Sequence, residues 1–207
     1  MNTDSSKRLR DRFREETQAA ILASAESIFS RNGLHAASMN EIARDAGIAV
    51  GTLYNHFKDR EAILTALLDA RRTELVEQMD RVLEESKDQS FKVQLQAFLA
   101  ALFQHMQAHW QFFVILVQGE HGSDRHALVS VSKPKATLKE VYFRLETLVK
   151  HGVKRKELRP KCADLLPVAM MGMIRAVWVR QIYDGEAKAI DQVDALVDLI
   201  LSGAAVK

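Results

Sequence analysis

The chain has 207 residues, 47% of them apolar and 27% charged, with a formal net charge of +2. That length and apolar share suffice for one large core or two smaller ones, and the near-neutral balance does not by itself announce a polyanion partner. Cys162 is the one cysteine, which excludes an intramolecular disulfide and leads us to expect a cytoplasmic protein. The polar, charged N-terminus lacks the apolar stretch of a signal peptide. The greasiest runs, 97–118 and 163–179, are broken by polar side chains, so no membrane span is expected.

Three prolines and nine glycines, few runs of strict alternation, and abundant Ala, Leu, Glu, Lys and Arg predict an all-α fold of about nine helices. The first fourteen residues place Lys7, Arg8, Arg10, Arg12 and Arg14 against Asp4 and Asp11. Such a stretch is expected as a solvated tail without structure, although a basic arm can also lie along nucleic acid. Residues 15–32 then repeat apolar positions at helical spacing, and Gly33 stops that helix. Ser38 followed by Glu41 is the signature of a capping box opening a second helix, which Gly47 ends. A third short helix covers 50–57, anchored by Leu53 and Phe57. Asp59 caps a fourth that runs to about residue 85.

Two short helices joined by a glycine-containing turn read as a helix-turn-helix. Ala43, Ala46 and Gly47 are small enough for close crossing, and Ile42, Ile48 and Leu53 are placed to hold the angle. The third helix then offers polar side chains to a groove wide enough for a helix. Thr52 and His56 are one turn apart, Asn55 lies beside them, and Tyr54 carries a hydroxyl suited to a phosphate oxygen. Ser38, Lys58 and Arg60 are further phosphate candidates. The plainer alternative is a helical hairpin with a solvated polar face.

The run GLHAASMNEIARDAGIAVGTLYNHFKDREAIL closely resembles the N-terminal DNA-binding domain of the TetR family of transcriptional regulators. The marks are Gly33, Ile42-Ala43, Ala46-Gly47-Ile48, Gly51-Thr52-Leu53-Tyr54, Phe57 and the charged pair before Leu64. The resemblance covers roughly residues 15–74. It implies a DNA-binding domain over 14–74 and a helical ligand-binding and dimerisation domain over 75–207. Carried over by position, Ser38 and Tyr54 contact phosphate, and Asn40, Val50, Gly51, Thr52, Asn55 and His56 lie nearest the bases. Arg60 stands where the family usually has a phosphate-binding lysine. Position 156, often glycine in the family, is lysine here. The implied partners are double-stranded DNA, a second copy of the chain and a small-molecule effector.

Helices are predicted over 90–108, 110–119, 132–151, 165–183 and 189–202, with Ser132 and Asp164 as caps. The fourth of these is apolar almost all round and needs burial on more than one side. Its small residues Ala169, Gly172 and Ala176 permit a close partner helix. The last helix adds a stripe of Ile190, Val193, Leu196, Val197 and Ile200, so two chains are expected to pair through a four-helix bundle. Large soft side chains suit an apolar effector: Phe98, Phe103, Met106, Trp110, Phe113, Val117, Tyr142, Met170 and Met173. Gln118, Glu120, Arg144 and Arg175 are polar groups able to orient it.

His105, His109, His121 and His126 fall within one stretch, and the first two are one helical turn apart. With no acidic residue or cysteine in the five positions after His105, no metal site and no cofactor are expected. The chain lacks a nucleophile elbow, a glycine-rich phosphate loop and paired carboxylates on one helix, so no enzymatic activity is expected. The reading is a ligand-responsive transcriptional regulator, a repressor released from a palindromic operator. Its alternative is an interaction module controlled by a protein partner.

Overall fold

The computed structural model describes residues 3–119, 133–184 and 188–204, and over them the fold is all-α. Nine α-helices occur among the described residues: α1 Thr3–Asn32, α2 Met39–Asp45, α3 Val50–His56, α4 Arg60–Glu85, α5 Phe91–Ala108, α6 Trp110–Gly119, α7 Lys133–Lys154, α8 Leu166–Asp184 and α9 Val193–Ala204. Short 3-10 turns occupy Pro160–Cys162 and Ala189–Gln192. No described helix is long and apolar enough to cross a membrane. The described residues divide into two units, 3–70 with 111–119, and 71–110 with 133–184 and 188–204.

In the first unit the basic arm is not a loose tail but the opening turns of α1. Arg, Glu and Gln favour helix, and Arg12 pairs with Glu16 at 3.9 Å one turn on. Thr17 also donates its hydroxyl to the Phe13 carbonyl at 2.7 Å. The helix is solvated until Ile21, and from there Ile21, Ala25, Ile28 and Phe29 enter a core with Ile42, Leu53, Ile63 and Leu67. Phe112 of α6 belongs to this same core.

Local chemistry sets the breaks between these helices. Gly33, at φ +83°, donates its N–H to Phe29 O and ends α1. The Ser38 hydroxyl accepts from the Glu41 amide at 3.2 Å, and the Glu41 carboxylate accepts from the Ser38 amide at 3.1 Å. The Ser38 amide and hydroxyl, both donating to the Glu41 carboxylate, hold it below the usual carboxylate range. Gly47 at φ +68° closes α2, with Gly47 N–H to Arg44 O and Ile48 N–H to Ala43 O. This double bond pattern satisfies carbonyls that the helix end leaves open, and only glycine takes that left-handed turn without penalty. Asp59 caps α4 through the Ala62 amide at 2.7 Å.

In the second unit α5 packs against α7 and α9, and α7 against α8. Leu95, Phe98, Leu99, Leu145, Val149, Met170 and Val197 are its fully buried centre. The end of α7 repeats the double pattern: Lys156 N–H meets Val153 O and Glu157 N–H meets Gly152 O. Here the left-handed residue is Lys156, at φ +62°. A side chain there costs about 1–2 kcal/mol, less the extra chain entropy a glycine loses on folding. Lys156→Gly is therefore expected to stabilise the protein by about 1 kcal/mol, read as a higher denaturant midpoint at unchanged slope. Gly152 could not make the reverse exchange, because a Cβ there meets Leu158 and Phe91 at 2.9 Å.

The stripe expected to pair two chains through the last helix is spent inside one chain. Val193, Leu196, Val197 and Ile200 of α9 are all buried in this core. Lys92 and Gln96 of α5 fix the outer edge of α9 through Asp198 at 3.0 Å and Asp194 at 2.8 Å. Leu199 is the exposed large apolar residue of that helix.

Candidate nucleic-acid interface

Leu53 is the one buried residue of α3. At 100° per residue, Gly51 and Asn55 stand farthest from it, and both are exposed. Val50 and Tyr54 occupy one shoulder, 37% and 52% exposed. Thr52 and His56 occupy the other and are half-buried, the His56 ring tilted against Phe57 at 6.5 Å. The outward face is thus centred on Gly51 and Asn55, with Thr52 and His56 at its margin.

The surrounding groups divide by how they are engaged. Asn40 and Ser38 are exposed, but the Ser38 hydroxyl also donates to the Glu41 carboxylate at 2.9 Å within the capping box. Lys58 is exposed and lies 3.6 Å from Asp59. Arg60 is half-buried and donates to the His35 carbonyl, tying the start of α4 to the loop before α2. Between α1 and α2 lies an open polar groove of about 370 Å³, lined by Ile28, Arg31, Asn32, Glu41, Arg44 and Asp45. Its guanidiniums face as many carboxylates, and Arg31 pairs with Asp45 at 3.4 Å, so it has no net pull on an anion.

The side chains expected around an effector do not form one set. Phe98, Phe103 and Met170 are fully buried in the second core, with Met106 and Met173 partly buried against it. Trp110 meets Trp178 edge to face at 6.4 Å, and Tyr142 is half-buried on α7. Phe113 packs instead against the first core, beside Phe112. The side chains of Val117 and Gln118 lie outside the described residues, as do Glu120, His121, His126 and Ser132. Arg144 is a structural tie: it forks onto Asp80 at 2.7 Å twice and onto Glu140 at 2.7 Å, and these carboxylates raise its already high pKa. Arg175 is exposed on α8.

Sequence reasoning missed two tertiary pairings in this unit. Gln181 donates to Gln107 at 2.9 Å and accepts from the Ala189 amide at 2.8 Å, which satisfies a buried amide. Glu74 of α4 comes to 3.8 Å from His109, a pairing across a separation that no local pattern reports.

Residues 21–67 match the family described as bacterial regulatory proteins, tetR family. The regulator UidR of Escherichia coli is 44% identical over 54 residues, 26% of this chain and 28% of its own length. The regulator SrpR of Pseudomonas putida is 27% identical over 171 residues, 83% of this chain and 76% of its own. FadR of Bacillus subtilis, solved in complex with stearoyl-CoA, shares the fold with a TM-score of 0.66 at 21% identity, over 89% of this chain and 98% of that one. The match thus spans little more than a quarter of UidR, and residues 21–67, matched by the family, hold α2 and α3. The capped α2, the glycine turn and the outward face of α3 all lie inside residues 21–67, the stretch that is similar to the tetR family of bacterial regulatory proteins.

Proposed function

We propose that the chain is a cytoplasmic, ligand-responsive DNA-binding transcriptional regulator. It acts as a homodimeric repressor and leaves a palindromic operator when a small apolar or amphipathic molecule binds. The observation that carries this reading is α3, which buries only Leu53 of its own residues and leaves Val50, Gly51, Tyr54 and Asn55 exposed. A helix so exposed, carrying Thr52, Asn55 and His56, has the size and donors to read a major groove. Asn40, Val50 and Gly51 complete the base-facing set, and Ser38, Tyr54, Lys58 and Arg60 supply backbone contacts. Residues 14–74 serve as the DNA-binding domain and residues 75–207 as the effector and dimerisation domain.

Pairing is supported by α8. Leu165, Val168, Gly172, Ala176, Val179 and Tyr183 are all exposed and recur at helical spacing within an arc of roughly 100°. The opposite side of the same helix buries Leu166, Met170 and Ile174 in its own core. Two reading helices related by a two-fold axis engage successive major grooves about 34 Å apart. Release is a population shift: a hundredfold change in operator affinity needs about 2.7 kcal/mol of coupling with the effector. The stearoyl-CoA bound by FadR supports an effector with a long apolar chain. Phe98, Phe103, Met106, Trp110, Tyr142, Met170 and Met173, all in the second unit, are its proposed contacts.

Selection from randomised duplex DNA tests the proposal. Wild type is expected to enrich a palindrome, and Tyr54→Phe with His56→Ala to bind it at least tenfold more weakly. An absence of enrichment at any salt concentration would count against DNA reading by the free protein.

A further inference from the structure

Three donor side chains from two helices meet in the second unit. His105 and His109 lie one turn apart on α5, and Glu74 reaches them from α4. One ligating atom from each of the three falls within 4.8 Å of the others. The imidazole rings are 4.8 Å apart and tilted by 54°, so they do not stack face to face. His105 is buried, at 6% exposure, while the Glu74 side chain is 48% exposed. The cluster therefore runs from the protein interior to solvent, which gives an ion a way in.

We propose that Glu74, His105 and His109 bind a divalent first-row transition ion of the zinc class. The donor set decides the class: two imidazoles with one carboxylate suit zinc, nickel or ferrous iron and not magnesium or calcium, which take oxygen donors. The geometry needs little change. Donors 2.1 Å from a tetrahedral ion are roughly 3.4 Å apart, so the present separations close by about an ångström of side-chain rotation. His109 can supply that movement because it is the residue that ends α5, at φ −112° and ψ 24°.

Arg71 bears on the proposal directly. Its guanidinium lies 2.6 Å from both Glu74 oxygens. A carboxylate offers about four lone-pair directions, so Glu74 can keep Arg71 and still present an oxygen toward His109. A partner of this kind orients a ligating carboxylate, at some cost in charge repulsion. Three protein donors leave at least one coordination position for water or for a donor atom of another molecule. The ion fastens the end of α5 to α4. Neither the site nor its test depends on the chain binding DNA.

The test uses the untagged full-length chain, with cobalt(II) as an optical probe and zinc by calorimetry. Wild type is expected to take up one equivalent and to show the visible bands of a low-coordinate cobalt ion. Glu74→Gln and His109→Ala are each expected to weaken binding at least tenfold, with unchanged helical circular dichroism. Glu74 is exposed, so its variant keeps the test decisive even where the histidine change disturbs folding. Failure of wild type to bind one equivalent overturns the proposal, and so does equal binding by Glu74→Gln.

Discussion

Leu53→Ala is expected to destabilise the first unit by about 2–5 kcal/mol and to abolish the proposed operator binding. The size follows from burial. Leu53 is wholly inaccessible and packs in the core that also holds Ile21, Phe29, Ile42 and Ile63. Removing its branched end forfeits the transfer energy of those methyl groups and leaves a cavity that surrounding helices fill only in part. The effect on DNA exceeds the effect on stability because α3 has no second buried residue. A seven-residue helix does not persist in water without tertiary anchorage. Asn55→Ala is the contrasting change: it leaves the melting temperature alone and reduces operator affinity by about 1–3 kcal/mol. The two variants together separate folding of the reading helix from reading itself. Thermal melts and fluorescence anisotropy on the selected operator give both quantities. Retained affinity in Leu53→Ala would show that something other than Leu53 holds α3 in place.

Gly172→Glu is expected to dissociate the proposed dimer while leaving each chain folded. A Cβ at Gly172 meets nothing within 4 Å, so the single chain has room for a side chain there. The exchange even favours helix, by roughly half to one kcal/mol, since glycine is the poorest helix former after proline. In a paired state the same position lies amid Val168, Ala169 and Ala176, where a partner helix approaches closely. Two carboxylates would then be buried at one two-fold axis without partners, a cost of several kcal/mol. That corresponds to at least a thousandfold in the association constant. Sedimentation at micromolar concentration reads the change. A wild-type chain that sediments as a monomer would remove the α8 stripe as a pairing face.

The helix-turn-helix was legible because its signals are local. Ser38 and Glu41 are three residues apart and bond each other. Gly33 and Gly47 are the glycines with positive φ among the described residues, and Asp59 bonds an amide three residues on. Spacing alone carries such information. Where spacing was silent, tertiary packing decided. The apolar stripe of α9 has the period of a surface helix, and nothing in that period says whether the covering layer is the same chain or another. Arg144 has the charge to orient a ligand, but Asp80, far off in sequence, takes its Nε and Nη2 while Glu140 takes Nη1. His105 and His109 lacked a third donor in their own neighbourhood, and Glu74 supplies it from a different helix. The basic arm was misjudged for another reason. Charge density suggested a solvated tail, but Arg, Lys, Glu and Gln are also good helix formers, and the arm simply extends α1.

Phe112 gives the molecule a property that its linear layout conceals. It lies beyond α4 and α5 in the chain, yet it is 1% exposed within the core of the first unit. The unit of residues 3–70 therefore also includes residues 111–119. A gene fragment ending after α3 or partway along α4 encodes a head whose apolar floor is missing an aromatic ring. A head transplanted to a new body keeps this core whole only where the exchange carries the start of α6 with it. Inheritance of the reading helix is in this way bound to inheritance of a piece of the sequence that follows α5.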